Sequence, residues 1–133
     1  MKKNGFTLIE LVLTLSIIAI LSTLIIPNMT NIKQKAQETA LKNNCHTIQL
    51  ALESYFLTHN SYPNGNNTHI SSILTTLKDN NDITEIPKNP YTKQPFNTTD
   101  TQGVIQYSTT NNTYTLIAFG TTTSDEILTL SSP

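Results

Sequence analysis

The chain has 133 residues, a formal net charge of −1 and no arginine. That length holds one small domain plus an appendage, and the near-neutral charge leaves no basic patch to grip a nucleic-acid backbone, so the isolated subunit is not read as a DNA or RNA binder. Cys45 is the only cysteine, which excludes a disulfide within one chain; it reads as a small buried hydrophobe on a helix.

Residues 1–5 read MKKNG, and residues 6–26 read FTLIELVLTLSIIAILSTLII. A run of about 20 apolar residues is long enough to cross a bilayer as a helix. Lys2 and Lys3 before the run keep the N-terminus in the cytoplasm and send the rest outward. An ordinary secretory signal fits poorly, because the run exceeds a typical h-region and no A-x-A-like site follows it. The small residue at an edge is Gly5, before the run, and a cut there removes the charged leader and keeps the helix.

Glu10 is the one charge inside the run. A carboxylate in a membrane span costs about 3 kcal/mol on insertion scales, so it is a functional candidate by default. After a cut at Gly5 it lies in the first turn of the mature helix, where the helix dipole favours it. There it can pair with the new amine of Phe6, in its own chain or in a neighbour. Pro27 removes a backbone donor and crowds the carbonyl of Thr23, so a bend or the end of the span is expected there.

Beyond Pro27 the pattern is amphipathic. Met29, Ile32, Ala36 and Ala40 recur at helical spacing, and Leu41, Cys45, Ile48, Leu52, Tyr55 and Phe56 continue it. One helix from about residue 6 to about residue 57 is predicted. Its outer half, 28–57, offers an apolar stripe to a head formed by residues 58–133. Residues 60–65 form a turn cluster, residues 70–77 a second helix, and residues 78–103 a long loop with prolines at 87, 90 and 95. Residues 104–108 and 114–119 read as a hairpin around Asn111-Asn112, and residues 126–130 as a third, edge strand. The predicted core joins Ile48, Leu52, Tyr55 and Phe56 to Ile73, Leu77, Ile105, Tyr107, Leu116 and Ala118. The fold class is thus α+β, a long N-terminal helix packed against a small antiparallel sheet. His46, His59 and His69 share no metal-ligand spacing and read as surface residues. No catalytic constellation, phosphate loop or metal cluster stands out in residues 58–133, which argues against a membrane-anchored exported enzyme.

Gly5-Phe6-Thr7-Leu8-Ile9-Glu10 and the apolar run after it resemble the cleavage and methylation signature of type IV prepilins and of type II secretion pseudopilins. The resemblance implies cleavage after Gly5 by a prepilin peptidase, N-methylation of Phe6, and assembly of the helices into a homopolymer. There Glu10 would pair with the Phe6 amine of an adjacent subunit, and the helix would loosen at Pro27. Ile86-Pro87-Lys88-Asn89-Pro90-Tyr91, Pro95-Phe96, Tyr62-Pro63 and Tyr114-Thr115-Leu116 are similar to the corresponding segments of major pseudopilins. That family often carries a calcium site before its last strand. Here Asp125 and Glu126 alone make a poor cage for an ion that takes six to eight oxygens, so no cofactor is expected. The resemblance implies a single-pass subunit of the bacterial inner membrane with its head outside the cytoplasm. Its partners would be an assembly ATPase, platform proteins and minor pilin-like subunits. The implied filament is a periplasmic pseudopilus; the alternative is a surface pilus for adhesion, motility or DNA uptake.

Overall fold

The computed structural model describes residues 5–132, apart from the side chains of residues 24–28. The chain forms two compact units, one ending at Lys35 and the other starting at Ala36. Helix α1 spans Leu8–His59, close to the predicted bounds. The bend expected at Pro27 falls outside the described residues.

In the second unit α1 ends where Asn60 enters the left-handed region at φ 54 and its N–H bonds the Phe56 carbonyl at 2.8 Å. Asparagine tolerates that conformation, which stops the helix and turns the chain. A short strand β1, Thr68–His69, leads into α2, Ile70–Asp79. Strands β2 (Ile105–Thr110), β3 (Thr113–Phe119) and β4 (Glu126–Ser131) follow, and the antiparallel sheet has the order β1-β2-β3-β4. The β2–β3 turn is Asn111-Asn112, with φ 51 and 62. Two successive left-handed residues are what a two-residue hairpin needs to match strand twist.

Strand alternation sets the core. Ile105 pairs with Ala118 and Tyr107 with Leu116, and all four are buried on one sheet face. Against that face lie Leu41, Cys45, Ile48 and Leu52 of α1 and Ile70, Ile73, Leu74 and Leu77 of α2. Each fully buried aliphatic side chain contributes about 1.5–3 kcal/mol of transfer free energy. The predicted core is met, except that Tyr55 and Phe56 are half-buried at its margin. Cys45 is buried as expected, and burial pushes its thiol up to about 12.

Three features differ from the sequence reading. Strand β1 lay inside the segment after the turn cluster and was not anticipated. The loop over residues 78–103 is organised around Asn89, which is fully buried. Its Nδ2 donates to Asp100 Oδ2 at 3.0 Å and to the Gln102 carbonyl at 2.8 Å, and its Oδ1 accepts from Tyr91 N–H at 2.9 Å. Its backbone N–H and C=O bond Gln94 and Lys93, so each polar group of this buried amide is used. Gly103, at φ +63, lies against Asn89 Oδ1 and would place a Cβ 2.6 Å from Tyr91 Cδ2.

The third difference is His69, which is half-buried rather than a surface residue. It is the N-cap of α2, and its Nδ1 accepts from Ser71 N–H at 3.3 Å. The proton then sits on Nε2, which is buried without a hydrogen-bond partner among the described residues. Burial holds the imidazole below its ordinary 6.5, and the Asp100 carboxylate opposes that shift.

Two outcomes follow for stability. Gly103→Ala puts a side chain at a left-handed position against Asn89, at a cost of about 1–3 kcal/mol, read as a lower melting temperature by circular dichroism. An unchanged melting temperature would contradict the role given to Asn89 and Gly103. For His69 the fold favours the neutral ring. Its contribution is complete above the unfolded value of 6.5 and is lost as the pH falls below that value. His69→Asn keeps a capping acceptor and removes the titration. Melts across this window should therefore fall less steeply for the variant than for the parent; parallel slopes would refute the capping account.

Candidate functional site

The start of α1 is built by four consecutive residues. Thr7 is the last residue before the helix, and its carbonyl accepts the N–H of Leu11 at 3.2 Å. Thr7 Oγ1 accepts from the Glu10 backbone N–H at 3.3 Å. The Glu10 carboxylate reaches back: its Oε2 accepts from Thr7 N–H at 2.9 Å and from the Thr7 hydroxyl at 2.7 Å. This is a reciprocal capping box, in which two backbone donors that the first turn leaves unpaired are satisfied by side chains. The anionic carboxylate also lies at the positive end of the helix dipole. Among the described residues the hydrogen bonds to Glu10 all fall on Oε2.

Gly5 and Phe6 precede this box. Gly5 is exposed, and a Cβ there would meet nothing within 4 Å. Phe6 is 82% exposed. The Gly5–Phe6 peptide therefore stands clear of the helix. The structure brings Gly5, Phe6 and Glu10 to one short stretch, as the spacing requires, whereas the Pro27 side chain lies outside the described residues.

Downstream, Leu11 to Leu21 present an apolar exterior in which each large hydrophobic side chain is at least half exposed. Polar residues in this stretch and just after it are satisfied within the helix. The hydroxyls of Thr14, Ser16, Ser22 and Thr23 each donate to a carbonyl three or four residues earlier, at 2.7–2.8 Å. Such back-bonding satisfies the hydroxyl within the helix. Among the described residues no helix is long and apolar enough to cross a membrane.

The two acids before and at the start of β4 are each engaged by a nearby threonine. Asp125 Oδ2 accepts from Thr121 N–H and the Thr121 hydroxyl at 3.3 and 3.4 Å, and Glu126 Oε1 accepts from the Thr129 hydroxyl at 2.6 Å. Among the described residues no group of three or more His, Cys, Asp or Glu is placed to hold a metal ion.

Residues 1–26 match the family described as the prokaryotic N-terminal methylation motif. The N-terminal segment carries that motif. The chain is also similar to type II secretion system core protein G, at 34% identity over 62 residues in Aeromonas hydrophila and 34% over 65 residues in Escherichia coli. These matches take in 47 and 49% of this chain and 43 and 45% of the relatives, so the chain spans less than half the length of the relatives it matches. A prepilin peptidase-dependent protein A of Clostridium perfringens is 44% identical over 52 residues, covering 39% of this chain and 37% of the relative. No solved structure matches at a significant level.

Thr7 is the functional-site residue that the sequence reading left without a role. The signal was present as the Thr-x-x-Glu spacing directly before an apolar run. Thr7→Val removes the hydroxyl and keeps the shape. It should weaken the helix start by about 1 kcal/mol, so that the Glu10 amide exchanges hydrogen about fivefold faster in detergent. Thr7→Ser should retain the parent rate. Equal exchange in all three would show that the box does not hold the helix start.

Proposed function

We propose that this chain is a structural subunit of a pilus-like filament of the type II secretion pseudopilus kind, which assists protein export. The observation that carries the reading is the coincidence of an open Gly5–Phe6 peptide, the Thr7–Glu10 box and the methylation motif over residues 1–26. Similarity to core protein G supports the same reading.

In this reading residues 1–5 are a leader removed by a prepilin peptidase, and the new amine of Phe6 is methylated. Residues 6–27 anchor the precursor in the inner membrane by a single pass, with the head outside the cytoplasm. The apolar exterior between Leu11 and Leu21, whose Thr14 and Ser16 hydroxyls bond carbonyls of the same helix, supports that placement because lipid offers no hydrogen bonds. The same exterior then packs on copies of itself in the filament. Catalysis belongs to partners: the peptidase and an assembly ATPase acting through membrane platform proteins.

Glu10 is the register device of this scheme. Cleavage creates an ammonium one residue before Thr7, within the first turn's reach of the carboxylate. An incoming subunit moves axially until its Phe6 amine meets a Glu10 already in place. An uncompensated charge is costly in lipid, so pairing removes two costs together.

The test is processing followed by assembly. Intact mass of the mature protein should show loss of residues 1–5 and one added methyl group on Phe6. Glu10→Gln keeps the shape, removes the charge and leaves Gly5 untouched, so cleavage should proceed while the yield of sheared filaments drops at least about tenfold. A mature chain beginning after residue 26 would mean a conventional signal peptide. Parental filament yield from the variant would remove Glu10 from the register role.

A further inference from the structure

Asn64-Gly65 lies in the turn between α1 and β1, and its glycine is required by packing. A Cβ at Gly65 would sit 2.5 and 2.8 Å from Cδ1 and Cε1 of Tyr107. Tyr107 cannot give way, since it is fully buried and its hydroxyl donates to the Pro63 carbonyl at 2.7 Å. The position therefore has to be glycine, and a residue without a side chain leaves its backbone nitrogen unshielded beside the Asn64 amide. Asn64 itself is exposed, at the rim of a shallow polar recess formed with Ser61, Tyr62, Thr110 and Asn111.

We propose that Asn64-Gly65 is a latent deamidation site which Thr109 holds closed in the folded head. The reaction needs the Gly65 nitrogen to lose its proton to solvent and attack Asn64 Cγ. The bond from Cγ to the side-chain nitrogen breaks, ammonia leaves and a succinimide ring forms. Water then opens the ring at either carbonyl and gives aspartate or isoaspartate.

The fold withholds the attacking atom. Gly65 N–H donates to Thr109 Oγ1 at 3.0 Å, and the Gly65 carbonyl accepts from Thr109 N–H at 2.7 Å and from its hydroxyl at 3.1 Å. Thr109 thus clamps both sides of the residue and keeps it seated on the Tyr107 ring. Attack requires that the nitrogen leave the hydroxyl and that Gly65 lift away from the ring. Once isoaspartate forms, an extra backbone methylene precedes Gly65. The Pro63 and Gly65 carbonyls then no longer fit Tyr107 and Thr109 together. The modification would mark heads that have opened and prevent their return.

The experiment follows deamidation at Asn64 by peptide mass mapping of the detergent-solubilised full chain, at mildly alkaline pH, folded and in concentrated urea. The folded parent should react at least about fivefold more slowly than the unfolded one, the factor provided by one hydrogen bond of ordinary worth. Thr109→Val keeps the branched shape and removes the hydroxyl, so the folded variant should react about fivefold faster than the folded parent while staying below the urea rate, because the Thr109 N–H and the Tyr107 ring still hold Gly65. Thr109→Ser should keep the parental rate. A folded parent that reacts as fast as the unfolded chain would overturn the proposal. So would a folded Thr109→Val that stays as slow as the parent. If Thr109→Val does not fold, Thr109→Ala removes the same hydroxyl and carries the same two outcomes.

Discussion

The apolar face of α1 between Leu41 and Leu52 is the contact on which the head depends. Four short strands bury only one face of their sheet, and a small sheet gains independent stability by packing that face on something else. Leu41, Cys45, Ile48 and Leu52 supply the cover at helical spacing, and α2 fills the remaining side with Ile70, Ile73, Leu74 and Leu77. No disulfide within the chain can contribute, because Cys45 is the only cysteine and lies inside this core. The second compact unit accordingly takes in α1 from Ala36 onward.

At the far end of this core the packing becomes polar, and one carboxylate organises it. Glu53 accepts from the Tyr62 hydroxyl through Oε2 and from the Tyr114 hydroxyl through Oε1, both at 3.0 Å. The two rings meet edge to face at 4.7 Å, and Phe56 stacks on Tyr62. Buried tyrosines need an acceptor for their hydroxyls, and the two carboxyl oxygens of Glu53 supply one each. Burial pushes the phenols of Tyr107 and Tyr114 upward, so both remain donors. One acidic side chain thus ties the last turns of α1 to the turn after it and to the centre of the sheet.

These two layers differ in how well a sequence announces them. The apolar run, the four-residue face of α2 and the alternation of Ile105 and Tyr107 against Tyr114, Leu116 and Ala118 each repeat with a period, and period reveals an element and its inner face. The Asn111-Asn112 turn is legible from local chemistry, because two left-handed residues favour asparagine. What stayed hidden has no period. Strand β1 has two residues, too few to alternate, and exists because β2 pairs with it. Asn89 looks like a loop residue between two prolines, and its side-chain amide nitrogen is satisfied by partners 11 and 13 positions away. His69 is an uncommon cap, since serine, threonine, aspartate and asparagine are the usual ones. At the candidate site Gly5, Phe6 and Glu10 were legible as a motif. The role of Thr7 follows from hydrogen bonds that the motif contains but does not spell out.

The exterior of α1 before residue 24 bears on how one surface can serve two surroundings in the proposed filament. Lipid tails are as apolar as leucine, so exchanging lipid for neighbouring helices gains little from the hydrophobic effect. The hydroxyls of Thr14, Ser16, Ser22 and Thr23 are satisfied within the helix and need a partner in neither place. Side-chain packing and Glu10 are then the terms left to favour one state over the other. In the single subunit Glu10 is held by Thr7 through a backbone N–H and a hydroxyl, both neutral donors. A methylated ammonium from another copy is a charged donor, which adds the attraction of opposite charges to the hydrogen bond itself. The capping box holds the carboxylate at the start of the helix through Oε2, and in the proposed filament an incoming amine would compete with Thr7 for it. Assembly would then be driven by a difference between two sets of hydrogen bonds to one carboxylate, on a surface that is otherwise indifferent to what surrounds it.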